Sequence, residues 1–206
     1  MFTLKNNFKI IHFVLLLSCI NFLFFHYPFF NFVFNTIDYK SLNGIFVVIS
    51  LVVLMLVLNA FVFFLIFFLS RFVGKFLLVV FFLINAVAVY FINTYGVIID
   101  ESMIGNIFNT KYEESSSFFS IKLVLYLLFL GVLPSIYIIK AKIINVTVKK
   151  FSIITSLTLL FVLFLVFINA SNWLWIDKNS KTLGGLAMPW SYAVNTSLFY
   201  IHEHKK

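Results

Sequence analysis

The run 45–70, IFVVISLVVLMLVLNAFVFFLIFFLS, contains no Asp, Glu, Lys or Arg. About 20 apolar residues in α-helix cross a hydrocarbon core about 30 Å thick. This run therefore reads as a membrane span with residues to spare for tilt or protrusion. Working outward, four more uncharged apolar runs follow the same rule: 10–27, 76–95, 123–139 and 151–170. Gly131 and Pro134 interrupt the fourth and predict a kink there. The run at 10–27 lacks a small-residue cleavage site and is followed by four further spans, so it reads as an uncleaved anchor. The fold class that follows is all-α, an integral membrane bundle of five transmembrane helices over residues 1–172.

Composition agrees. Of 206 residues 63% are hydrophobic and 11% charged, and the mean hydropathy is +1.08. A soluble domain carries about a quarter charged residues, so these are too few to cover an aqueous surface. Cys19 is the single cysteine, which excludes an intrachain disulfide, and its place in an apolar run suits a small hydrophobe.

The charges divide by side. Lys5, Lys9, Arg71, Lys75, Lys140, Lys142, Lys149 and Lys150 share one side with no acidic residue. The other side balances seven basic against seven acidic residues, so the whole net charge of +8 falls on the first. The positive-inside rule assigns that side to the cytoplasm. The amino terminus is then inside and the carboxyl tail outside. Nucleic acid is a poor partner for this chain, because the basic residues are spread over short loops without an aromatic reading surface.

Aromatic residues mark the outer interface: Tyr27, Phe29 and Phe30 after the first span, Trp173 and Trp175 after the fifth. In 173–206 the stretch DKNSKTLGG, 177–185, reads as a polar linker. Beyond it Trp190, Ala193, Val194, Leu198 and Ile201 follow helical periodicity. The apolar stretch is too short to span, which predicts a helix lying in the outer interface.

The outer loop 96–120 contains YGVIIDESMIGNIFNTKYEE, 95–114. Asn106, Thr110 and Glu114 recur every fourth residue and would share one face of a loop helix. Such a row is either a solvated face or a seat for a zwitterionic headgroup. In the second case the carboxylate meets an ammonium, and the amide and hydroxyl meet phosphate or ester oxygens. Catalytic patterns are sparse. His202, Glu203 and His204 make a short tail cluster with no second set of ligands, so a solvated tail is favoured over zinc. His12 and His26 have no charged partner in the spans and read as structural or interfacial. The spans hold no carboxylate for proton or ion coupling.

Five spans in this order, the 95–114 stretch and the PWSYAVN segment at 189–195 together resemble one family. It is the lipid A phosphoethanolamine transferases of Gram-negative bacteria, which include the mobile colistin-resistance enzymes. The resemblance covers essentially the whole chain but only the family's amino-terminal half. It implies an inner-membrane domain with a periplasmic loop helix and a periplasmic interfacial helix. It also implies a sulfatase-like catalytic domain with zinc and a threonine nucleophile, which moves phosphoethanolamine from phosphatidylethanolamine to lipid A. By the same resemblance Asn106, Thr110 and Glu114 help to form the donor-lipid pocket. The nucleophile and zinc ligands have no counterpart in these residues, so this stretch alone is expected to transfer nothing and to hold no cofactor. It would be a truncated piece, the partner of a separate catalytic chain, or a remnant. The alternative is a non-catalytic membrane protein acting through helix packing or partner contacts.

Overall fold

The computed structural model describes residues 7–111 and 118–205. Helix α1 (Ile10–Phe25) turns through 64° into α2 (Tyr27–Thr36). Pro28 lies in the first turn of α2, and with no N–H it cannot continue the ladder of α1. Phe29, Phe30 and Val33 are buried. The chain past the first span is therefore helical and packed, more than an aromatic anchor. Helix α3 (Leu42–Leu69) starts at Ser41, whose hydroxyl accepts from Gly44 N–H at 3.0 Å. Its 28 residues extend to about 42 Å at 1.5 Å per residue, longer than a bilayer core is thick. Ser70 then caps α4 (Arg71–Tyr95), which ends at Gly96 with φ of 66°. That left-handed conformation suits a residue without Cβ.

Beyond the short loop helix α5 (Glu101–Asn109), Ser120 caps α6 (Ile121–Lys140). The expected disturbance in α6 is a widened, π-type turn over Leu127–Val132, just ahead of Pro134. Gly131 lets this turn approach α4: a Cβ there would meet Leu83 Cδ2 at 3.0 Å. Helix α7 (Val148–Ile168) presents most of its surface outward, as a lipid-facing span does. A 3₁₀ turn at Ala170–Asn172 leads to α8 (Trp173–Leu186) and α9 (Trp190–Glu203). Among the described residues four single helices are long and apolar enough to cross a membrane, or five when the bent α1–α2 pair is counted as one span.

The linker expected at 177–185 is instead part of α8. Its two glycines fall in the last turn, where Gly185 serves a close approach. A Cβ on it would meet Ile98 Cβ at 3.1 Å and Ile99 N at 3.4 Å, and its carbonyl accepts from Ile99 N–H at 2.9 Å.

At the basic end, strands β1 (Asn7–Lys9) and β2 (Lys142–Ile144) pair in parallel with Phe8 opposite Ile143. Arg71 donates to Ile143 O at 3.1 Å. Lys75 Nζ donates to Ile139 O and Ala141 O, each at 2.7 Å. Lys9, Arg71, Lys75, Lys140 and Lys142, assigned to one side by charge, therefore do meet at one end of the bundle.

Polar side chains bolt the helices together. Ser18 donates to Leu56 O at 2.6 Å, joining α1 to α3. Asn169 donates to Ser50 at 2.8 Å, joining α3 to the end of α7. The largest buried polar group gathers around the α8–α9 connection. Asn21 donates to Met188 O at 3.1 Å, and Met188 N–H donates to His26 Nε2 at 3.1 Å. Since Nε2 accepts, the proton sits on Nδ1, which donates to Asn21 O at 3.2 Å. Asn85 donates to Asn21 Oδ1 at 2.9 Å and accepts from Tyr192 at 2.8 Å. Trp190 Nε1 donates to Asn59 Oδ1 at 2.8 Å. Asn21, His26, Asn59 and Asn85 are all buried, so the structural reading of His26 has a specific partner, the Met188 amide.

Candidate functional site

Helix α5 is built from a strong local start. Asp100 is its N-cap: one carboxylate oxygen accepts from Met103 N–H at 2.9 Å and from the Ser102 hydroxyl at 2.7 Å. The other oxygen meets Lys181 Nζ at 3.0 Å. Burial alone would push the Asp100 carboxyl up; the Met103 amide, the Ser102 hydroxyl and the Lys181 ammonium outweigh it and hold the pKa below the usual 3.8. Asp100 therefore serves at once as helix cap and as bridge from α5 to α8.

The rest of α5 leans on α9. His202 Nδ1–H donates to Glu101 at 2.7 Å. Phe108 stacks on Phe199 with ring centres 5.7 Å apart and planes 18° from parallel. Gly105 makes room for that ring, because a Cβ there would lie 3.1 Å from Phe199 Cε2. Asn195 donates to Ile99 O at 2.9 Å, fixing the lead into the helix. Ile104 is the buried residue of α5.

At 100° per residue, Glu101, Ile104, Gly105 and Phe108 share one side of α5. Ser102, Asn106 and Thr110 fall on the opposite side. The structure thus turns the back of α5 to α9 and leaves Asn106 exposed. Thr110 is the C-cap, extended at φ −69° and ψ 128°, and its hydroxyl donates to Asn106 O at 2.7 Å. The helix therefore stops at Asn109, short of the third member of the row. Asn106 and Thr110 are neighbours as their spacing predicts; Glu114 lies outside the described residues.

Between α5, α8 and α9 lies an open cleft of about 420 Å³. Asp100, Glu101 and Lys181 form its charged rim, and Trp190, Val194 and Leu198 its apolar wall. Among the described residues no three His, Cys, Asp or Glu side chains converge in a way that could hold a metal ion. His202 is tied to Glu101, so this tail histidine belongs to the α5–α9 contact. Sequence reading passed over Asp100, Lys181 and Asn195. Asp100 carries a local signal, an N-cap type directly before a helix. Lys181 and Asn195 carry none, because their partners are far away in the chain.

With that geometry in view, comparison with known proteins is informative. The family model for phosphoethanolamine transferase EptA/EptB matches residues 55–204. The chain is 36% identical over 182 residues to phosphoethanolamine transferase EptA of Helicobacter pylori, covering 88% of this chain and 34% of that protein. It is 30% identical over 128 residues to the EptA of Escherichia coli K12, covering 60% of this chain and 23% of that one. Among solved structures it superposes on the integral membrane lipooligosaccharide phosphoethanolamine transferase A from Neisseria meningitidis with a TM-score of 0.81. There the identity is 22%, over 93% of this chain and 36% of the other. That likeness concerns the fold, that of an integral membrane protein. The chain spans about a third or less of the length of the relatives it matches.

Proposed function

This chain belongs to the phosphoethanolamine transferase EptA/EptB family, and from that premise we propose that it is the membrane domain that presents the donor lipid. The donor is phosphatidylethanolamine, and the acceptor of the complete reaction is lipid A. The domain sits in the inner membrane with its basic end in the cytoplasm and α5 on the periplasmic side. There it anchors a sulfatase-like domain that carries the nucleophile and the zinc, neither of which these residues supply.

The observation that carries this reading is the two-sidedness of α5. One side is consumed by α9. The other offers the Asn106 amide and the Thr110 hydroxyl at the rim of the bundle, with Glu114 four residues further along the chain. Glu114 pairs with the ethanolamine ammonium, and the Asn106 amide, joined by the Thr110 hydroxyl once it turns from Asn106 O, holds phosphate or glycerol oxygens. A hydrogen bond to a charged group contributes about 1.5–3 kcal/mol, enough to select an ammonium headgroup over a glycerol one.

The test uses this chain in nanodiscs of mixed phosphatidylethanolamine and phosphatidylglycerol, with retained lipids counted by native mass spectrometry. Enrichment of phosphatidylethanolamine is expected for the natural chain. Glu114→Gln should lower that enrichment about tenfold, and Asn106→Ala should weaken retention of both lipids without changing their ratio. Equal retention of the two lipids by the natural chain would reject the donor reading and favour a role through partner contacts alone.

A further inference from the structure

Inside a bilayer, apolar burial does little to hold one helix against another, because lipid tails are as apolar as leucine. Helix α9 shows what takes its place. Its backbone packs against α5 and α8, not closely against α1, α3 or α4. Its attachment to the spans is made by side chains: Trp190 to Asn59 on α3 and Tyr192 to Asn85 on α4, each at 2.8 Å. Just ahead of it, Met188 is held through both its N–H and its carbonyl, by His26 and Asn21. Asn59 and Asn85 lie about 16–21 Å along their helices from the basic end, well within the bundle. Trp and Tyr commonly mark the headgroup level; here their polar atoms point inward to buried amides.

Helix α5 in turn has α9 as its one extensive helix neighbour among the described residues. Beside the Asp100–Lys181 bridge to α8, the pose of α5 therefore passes through α9 to one tryptophan and one tyrosine bond in the spans. We infer that Asn59, Asn85, Trp190 and Tyr192 are positioning residues: they fix α9, and through it the outward face of α5 that carries Asn106 and Thr110. The bonds need not touch any ligand to act. Only the identity of what that face binds rests on the donor-lipid reading.

The experiment is amide hydrogen exchange of the full chain in nanodiscs, read peptide by peptide, with lipid retention measured on the same samples. Tyr192→Phe keeps the ring and removes the hydroxyl, leaving Asn85 Oδ1 without that donor; Trp190→Phe removes the indole N–H. Each should speed exchange over 101–109 about tenfold, while the spans exchange as before and the thermal midpoint of the bundle is unchanged. Phosphatidylethanolamine retention should fall in step. Unchanged exchange over 101–109 in both variants overturns the inference. So does an equal rise across all spans, which would make these bonds general stabilisers. If the natural chain shows no lipid preference, the donor reading fails, and the exchange pattern still decides whether the four residues position α5.

Discussion

Asp100 gives the sharpest quantitative test of how α5 is held, because one carboxylate performs two separable tasks. Asp100→Ala removes the N-cap bond to Met103 N–H, the Ser102 contact and the Lys181 ion pair together. An N-cap lost to alanine costs about 0.5–2 kcal/mol. The ion pair adds little, because the Lys181 side chain is 74% exposed and exposed pairs contribute about 0–1 kcal/mol. The expected total is about 0.5–3 kcal/mol, or roughly a two- to hundredfold rise in opening of α5. Asp100→Asn is the control. Asparagine caps as well as aspartate, so only the ion pair is lost, and the rise should stay within about fivefold.

The assay is hydrogen exchange over 101–109, referenced to α3 and α4. The pH dependence has a fixed sign. The folded pKa of Asp100 lies below its ordinary 3.8, so its contribution is fully present above about pH 4. It is lost as pH falls through the lower, folded value. Protection of α5 should therefore be flat across neutral pH and fail only in acid, and Asp100→Asn should abolish that acid limb. If Asn proves as damaging as Ala, charge outweighs capping and the reasoning is refuted.

Three further outcomes follow from single contacts. Gly44→Ala should destabilise the chain by a few kcal/mol, because the new methyl would run into the Asp38 carbonyl; an unshifted thermal midpoint in detergent would contradict the turn ahead of α3. Lys75→Met removes two bonds to the carbonyls of Ile139 and Ala141 and should cost about 1–2 kcal/mol, with protease cleavage rising between α6 and α7 as the readout. Gly105→Leu should displace the Phe199 ring, freeing α5 to exchange while the five spans stay protected; retained protection over 101–109 would show that α5 does not depend on that contact.

The spans were legible because uncharged runs of bilayer length admit few solutions: 71–95 encloses the run read at 76–95, and 42–69 and 148–168 cover all but the last one or two residues of those read at 45–70 and 151–170. What escaped reading did so for physical reasons. Pro28 marks the end of one helix and the start of another, and only the bend shows that the second packs inward. Gly184 and Gly185 made α8 look like a linker, although Gly185 is there for contact with Ile98 and Ile99. The proposed row was half legible: spacing placed Thr110 over Asn106, but nothing in it announced that the helix would stop at Asn109. Asn21, Asn59 and Asn85 carry no charge, so a scan for charged residues in spans passes over them. Their partners Met188, Trp190 and Tyr192 lie more than a hundred residues away.

Charge is used differently at the two ends of the molecule. At the end that carries α5 opposite charges meet, as in Asp100 with Lys181, and the pairs hold short helices together. A carboxylate at the basic end could do the same for packing. The chain instead matches Arg71 and Lys75 with backbone carbonyls at and beyond the end of α6. A helix carboxyl end carries about half a negative charge as partial charges on its free carbonyls. Those carbonyls accept the cations without contributing any net charge. The basic end is thus tied to β2 while its full positive charge is retained.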